Sequence, residues 1–307
     1  MNPFISSDGH LRNGWRFLIA VFVFIVTENI AGRLALLTHA HGPKFEALYR
    51  PLHVILLLVA FSLMVKFIDR VPGDPLAAQG LGTSGPWLRD IVLGFLFGTG
   101  MVTISVVAIG IFGDLSFAIN LNDQSIPRAL LVLWVLAWAA MLEEVAFRGY
   151  PFQKLVAALY PVDRSIHMPS GTSAIVVLSI LFGAGHLNNP HATLFGAANT
   201  VLVGILLSIA YLRTRSLWMP FGIHFGWNLT LGMIFGLPVS GITSFSVIVK
   251  GVASGPHWLT GGDYGIEASA TASMIILLGI LLLVMFVPGR TSNLEGVTGS
   301  SSLASNN

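Results

Sequence analysis

The chain is punctuated by stretches of about twenty mostly apolar residues, the length of helix that crosses the hydrocarbon core of a bilayer. Eight are legible, at roughly 15–37, 52–67, 91–112, 129–147, 174–187, 194–212, 217–237 and 272–287; the fifth is short and the second marginal. Inside a bilayer the backbone must satisfy its own hydrogen bonds, which restricts such runs to helices. Composition agrees. Of the 307 residues 54% are hydrophobic and 10% charged, against about 45–50% and about 25% in soluble domains. The predicted fold is all-α: a polytopic transmembrane helical bundle of about eight spans.

Several classes are excluded or disfavoured at once. The chain has no cysteine, so disulfides, thiolate metal sites and a cysteine nucleophile are ruled out. A net charge of +2 is too small to call for a nucleic-acid partner. The first apolar run follows Arg12 and Arg16 without a small-residue cleavage site, so it reads as a retained helix rather than a signal peptide. No internal repeat suggests an inverted-repeat transporter.

With eight spans, one side collects Arg12, Arg16, Lys66, Arg70, Arg89, Lys154, Arg164, Arg213, Arg215 and Arg290, and the other Lys44, Arg50, Arg128 and Lys250. Ten against four predicts both termini in the cytoplasm, with the bacterial plasma membrane as the expected location. Residues 151–159 read as a short amphipathic helix at the interface, 238–269 as a Gly/Ser/Thr-rich outer loop, and the tail as disordered. The expected organisation is 1–127, three helices and their loops; 128–237, a catalytic core; 238–271, an extramembrane loop; 272–290, the last span; and 291–307, the tail.

Ionisable residues at membrane depth are costly and mark function by default. Glu143 and Glu144 end the fourth apolar run, with Arg148 one turn on. Consecutive helical residues point about 100° apart, so the two glutamates do different work. Glu144 and Arg148 are spaced i,i+4 and suited to pair, which leaves Glu143 the freer carboxylate and a candidate general base. His186 follows the small stretch Gly183-Ala184-Gly185, which permits close helix approach. His224 and Asn228 share a helix face and together could donate to one oxyanion. Each group also has a bland reading: a structural ion cluster for the first, hydrogen-bonding glue between helices for the others. Glu28 and Arg33 read as a structural or interfacial pair. Asn188, Asn189 and His191 are placed near a cavity mouth, Trp15, Trp87 and Trp218 as interfacial anchors, and Gly226 and Gly232 as packing glycines. The glutamates and His186 are expected toward the cytoplasmic ends of their spans unless the fifth re-enters, with His224 a third of the way along the seventh.

Taken together, EEVAFR, FGAGH and HFGWN fit the patterns EExxxR, FxxxH and Hxxx(N/D) in order on separate helices. The chain thereby resembles the CAAX prenyl protease type 2 family, also called the CAAX protease and bacteriocin-processing family, which includes abortive-infection proteins. The resemblance covers roughly residues 130–235. It implies an integral membrane endopeptidase with its active site between helices. In it Glu143 and His186 activate water, His224 and Asn228 hold the oxyanion, and Glu144 and Arg148 support the site. It implies a peptide or membrane-associated protein as substrate and the lipid bilayer as partner. The metalloprotease label of the family leaves cofactors open between none and a divalent metal such as zinc; a metal would draw on Glu143, His186 and His224. The alternative is a non-proteolytic membrane scaffold, immunity factor or modulator of the same family.

Overall fold

A computed structural model describes residues 3–6, 9–165 and 171–290. The expected tail, 291–307, lies outside the described residues. The molecule is mostly helical. In chain order it runs α1 (Asn13–Leu36), α2 (Pro43–Leu63), α3 (Trp87–Phe112), β1 (Asp114–Ile119), α4 (Ser125–Arg148), α5 (Tyr150–Ser165), α6 (Thr172–Gly185), α7 (Leu194–Thr214), α8 (Trp218–Leu229), β2 (Val249–Ser254), α9 (His257–Thr260) and α10 (Ala270–Phe286). Among the described residues five helices are long and apolar enough to cross a membrane: Asn13–Leu36, Pro43–Ile68, Trp87–Phe112, Ser125–Leu159 and Leu194–Thr214. The apolar helices Thr172–Asn188 and Ala270–Phe286 are shorter. The chain is a polytopic helical membrane protein.

Three expectations are corrected. First, the fold is not purely α, because β1 and β2 pair antiparallel with Phe117 opposite Gly251. The glycines and serines around VKGVAS predict a loop, but in β2 Gly251 is what lets the strand lie against the Phe235 carbonyl. Second, α2 begins at Pro43, nine residues before the expected start at Leu52, and runs on through Pro51. Proline there removes one N–H and mimics a boundary in the sequence. Third, Glu28 and Arg33 do not pair. Five residues apart they sit on different helix faces, and Glu28 lies instead near the side chain of Tyr49.

Helix–helix contacts are set by small residues. Gly94 and Gly98 of α3 face Gly222 and Gly226 of α8, and a Cβ at any of the four would strike backbone of the opposite helix. Gly183 of α6 meets Ala197 and Val201 of α7, and Gly204 of α7 meets Ser179. Lipid offers no hydrophobic drive for helix association, so such close contact supplies the dispersion and steric fit instead. Gly98→Ala is expected to destabilise the protein by about 1–3 kcal/mol or more, because the clash at Ile223 is with backbone and no rotamer relieves it. Thermal unfolding in detergent checks this. Gly100→Ala, whose Cβ would meet nothing, is the control.

Polar clusters tie down one end of the bundle. Asp69 accepts from Arg16 (2.9 Å), Lys154 (2.5 Å) and Tyr150 Oη (3.1 Å), joining α1, the end of α2 and α5. Asp90 on α3 takes both Nη atoms of Arg290 at 2.6 Å. At the opposite end residues 236–269 fold over the helices with the two-stranded sheet. There Gly241, in the left-handed region at φ +81°, lies against the Pro190 carbonyl just beyond α6.

Candidate active site

Two interlocked pairs of helices build the site. Arg148, 1% exposed, donates to Glu144 Oε1 (3.3 Å) and to the Gly204 carbonyl of α7 (3.3 Å). Its guanidinium lies 4.5 Å above the Phe182 ring. Glu144 is fully buried, and its Oε1 also meets His224 Nδ1 at 2.8 Å. The EExxxR spacing on α4 thus does two jobs: one turn pairs Glu144 with Arg148, and the neighbouring position aims Glu143 elsewhere. Glu143, 26% exposed, places Oε2 3.7 Å from His224 Nε2. That separation is too long for a hydrogen bond, and Glu143 Oε2 has no other partner.

The second pair is α6 with α8. His186 Nδ1 lies 2.8 Å from the Phe182 carbonyl one turn earlier. Phe182 is a hub. Its ring meets His186 at a tilt (4.8 Å), His224 edge-on (6.2 Å) and Phe147 edge-on (5.2 Å). A carbonyl and a carboxylate can only accept, so both histidines carry a proton on Nδ1. Both Nε2 atoms are left for the space between the helices.

That space is a cavity of about 320 Å³ lined by Glu143, His186, His224 and Asn228 together with Leu136, Phe147, Phe182 and Ile223. The four residues expected to act are therefore brought to one cavity. Glu144 and Arg148 are behind it, buried. Among the described residues no three His, Asp or Glu side chains are arranged to hold a metal ion, so Glu143, His186 and His224 do not form a ligand set.

The depth of His186 is another correction. Arg148, at the end of α4, reaches Gly204, and α6 passes the same level at Ser179 before ending at His186. The residues after His186 pack on Gly241, so His186 caps the end of α6 nearer the 236–269 segment, not the end nearer Arg148. Gly171, just before α6, lies against Val156 of α5, so α6 starts near the end where α4 finishes and leaves His186 at the other end. The cavity still gathers both because α6, of 14 residues and about 21 Å, stops at its depth.

The cavity also holds residues that sequence reasoning did not place there. Arg50, read as an outer-loop cation, lies on α2, bonds Glu46 at 2.6 Å and lines the cavity. Its i,i+4 spacing with Glu46 was the available signal. Asn199, Trp227, Ser240 and Glu267 line it as well. Burial pushes the Glu267 carboxyl above its usual range, opposed by hydrogen bonds from Ser240 and Trp227 and by nearby His186. Asn189 lines the same cavity, while His191 faces another hollow under residues 237–266 and Asn188 is exposed. The rings of Trp87 and Trp218 meet at a tilt, 5.7 Å apart, at the charged end of the bundle. Gly226 packs on Phe95, and Gly232 on Val239 and Phe245.

Residues 125–230 match the family model of the type II CAAX prenyl endopeptidase, Rce1-like. This segment is an Rce1-like type II CAAX prenyl endopeptidase domain. It spans α4 to α8 and holds Glu143, His186, His224 and Asn228, so the Rce1-like domain supplies these polar lining residues while α2 and residues 236–269 complete the cavity. An "Uncharacterized 24.3 kDa protein" of Escherichia coli is 31% identical over 115 residues, covering 37% of this chain and 48% of that protein. The chain thus spans about half the length of the curated relative it matches. No solved structure matches the chain.

Proposed function

We propose that this protein is an integral membrane endopeptidase that hydrolyses a peptide bond inside the cavity, with Glu143 as general base. The observation that carries this is the His224 ring held between two carboxylates of different character. Glu144 is buried and already paired, whereas Glu143 faces the cavity with Oε2 unpartnered.

The Glu143 carboxylate takes a proton from a water that also rests on His186 Nε2. The oxygen attacks the substrate carbonyl and forms a tetrahedral oxyanion. Asn228 donates through Nδ2, and His224, as an imidazolium, through Nε2 while its Nδ1 stays on Glu144. Collapse of the intermediate breaks the C–N bond, and the proton held by Glu143 passes to the leaving amine. Arg148 holds Glu144, which in turn fixes the plane of His224. Preorganised donors of this kind act most strongly where water is excluded. The apolar wall of Leu136, Phe147 and Ile223 provides that setting.

Residues 128–237 are the catalytic unit in this reading, and 238–271 its cover. The number of spans follows as eight if α6, α8 with its following turn, and α10 each cross a bilayer thinned around them. Both termini then lie on the side of Arg16 and Arg290. The substrate is a peptide or a membrane-associated protein segment.

The test is cleavage of a fluorogenic prenylated CAAX peptide and of an unprenylated peptide panel by purified protein in detergent. Asn228→Ala is expected to lower kcat by about 10²–10³-fold with folding intact, the cost of one oxyanion donor. Turnover unchanged in that variant removes Asn228 from the mechanism. Absence of cleavage of every peptide by folded wild-type protein turns the reading toward a non-proteolytic role.

A further inference from the structure

The cover of the cavity lies outside the matched domain, in residues 236–269, and one carboxylate ties it to the catalytic helix. Glu267 sits on the short turn Ile266–Ala268 and lines the cavity. Its Oε1 accepts from Trp227 Nε1 at 3.0 Å. Its Oε2 accepts from Ser240 Oγ at 3.0 Å and from the Ser240 backbone N–H. Ser240 is a non-glycine residue at φ 49°, a left-handed conformation that disfavours a side chain and needs a fixed partner. Trp227 precedes Asn228 directly and follows His224 by three residues on α8.

The backbone here is already anchored without Glu267's side chain. Asn199 Nδ2 donates to the Glu267 and Ser269 carbonyls at 2.8 and 2.9 Å. A carboxylate at the edge of an apolar cavity is costly, and a strut for the loop alone would not require one. Its three donors come from two places, the cover and the helix face that carries His224 and Asn228.

We infer that Glu267 is a positioning residue of the active site: it locks the 236–269 cover onto α8 through Trp227 and so sets the wall that aligns substrate with His224 and Asn228. This rests on the protease reading. The lock itself is geometric and can be read without cleavage.

Glu267→Gln keeps the shape but turns one oxygen into an NH₂ group. Trp227 and Ser240 both donate, so one side of the carboxamide must meet donor against donor. The variant is expected to lower kcat by about 10- to 100-fold, since small misplacements of substrate act on the chemical step, with KM changed less than about threefold. The indole N–H resonance of Trp227 in ¹⁵N-tryptophan-labelled protein, assigned with Trp227→Phe, should move in Glu267→Gln. Trp227→Phe should lower kcat similarly, and the double variant should be no worse than Trp227→Phe alone. Ser240→Ala, which removes one donor, carries the same comparison if Glu267→Gln fails to fold.

A moved indole signal with wild-type turnover makes Glu267 a loop strut and overturns the inference. Reduced turnover with the indole unmoved does the same, because the effect then runs by another route. No cleavage by wild type of any peptide in the panel overturns the protease reading and this inference with it.

Discussion

Glu143→Gln is expected to lower peptide cleavage by about 10²–10⁴-fold, the contribution of a positioned general base. The substitution is nearly isosteric, so the shape of the cavity wall is kept. What it removes is the ability to take a proton. Glu143 suits this role better than Glu144 for a physical reason. Glu144 has no exposure and shares one oxygen between His224 Nδ1 and Arg148, so proton uptake there would break the network that orients the imidazole. Glu143 lines the cavity, and its Oε2 stands 3.7 Å from His224 Nε2 without a hydrogen-bond partner. The measurement is kcat/KM on a fluorogenic peptide, with the melting temperature in detergent as the folding control. Wild-type turnover by a folded Glu143→Gln protein would falsify the mechanism.

Arg148→Ala is expected to cost about 3–5 kcal/mol of stability, the range for removing one partner of a buried ion pair. The guanidinium is 1% exposed and serves Glu144, the Gly204 carbonyl and the face of Phe182. Its loss leaves the Glu144 carboxylate, whose Oε2 already lacks a partner, with His224 alone, and takes one donor from the Gly204 carbonyl, which keeps Ser208 Oγ at 2.8 Å. Phe182 also loses its cation, and with it the packing that sets both histidines. Unfolding in detergent at matched lipid content reads the effect. The double variant Arg148→Ala/Glu144→Gln should recover part of the loss, because the stranded charge is gone. A single variant within about 0.5 kcal/mol of wild type would show that the pair carries no structural weight, as surface pairs often do not.

Much of the site was legible because its chemistry is local to single helices. The i,i+4 relation of Glu144 to Arg148 and of His224 to Asn228 needs only helix periodicity. So does the separation of Glu143 from Glu144. The depth of His186 was misjudged because sequence alone does not show which end of a short helix reaches a cavity. Arg50 was missed because Pro51 disguised the true start of α2. Trp227 resembled one more apolar residue, and Glu267 lay in a stretch whose glycines and serines read as an outer loop. Its partners are 27 and 40 residues away in the chain, at Ser240 and Trp227. No local pattern encodes such pairs.

By itself the sequence determined that the chain is helical and membrane-embedded, since runs of about twenty apolar residues have no other solution in lipid. It also determined that Glu143, Glu144 and Arg148 share one helix and His224 and Asn228 another, since periodicity acts within one element. Tertiary structure decided which groups meet. His224 lies between the two glutamates because glycines bring α3 and α8 into backbone contact and set α8 beside α4. Likewise, residues 236–269 close the cavity because a strand, a left-handed turn and Glu267 hold them there. Contacts of that kind depend on packing between distant segments, and packing is a property of the folded whole.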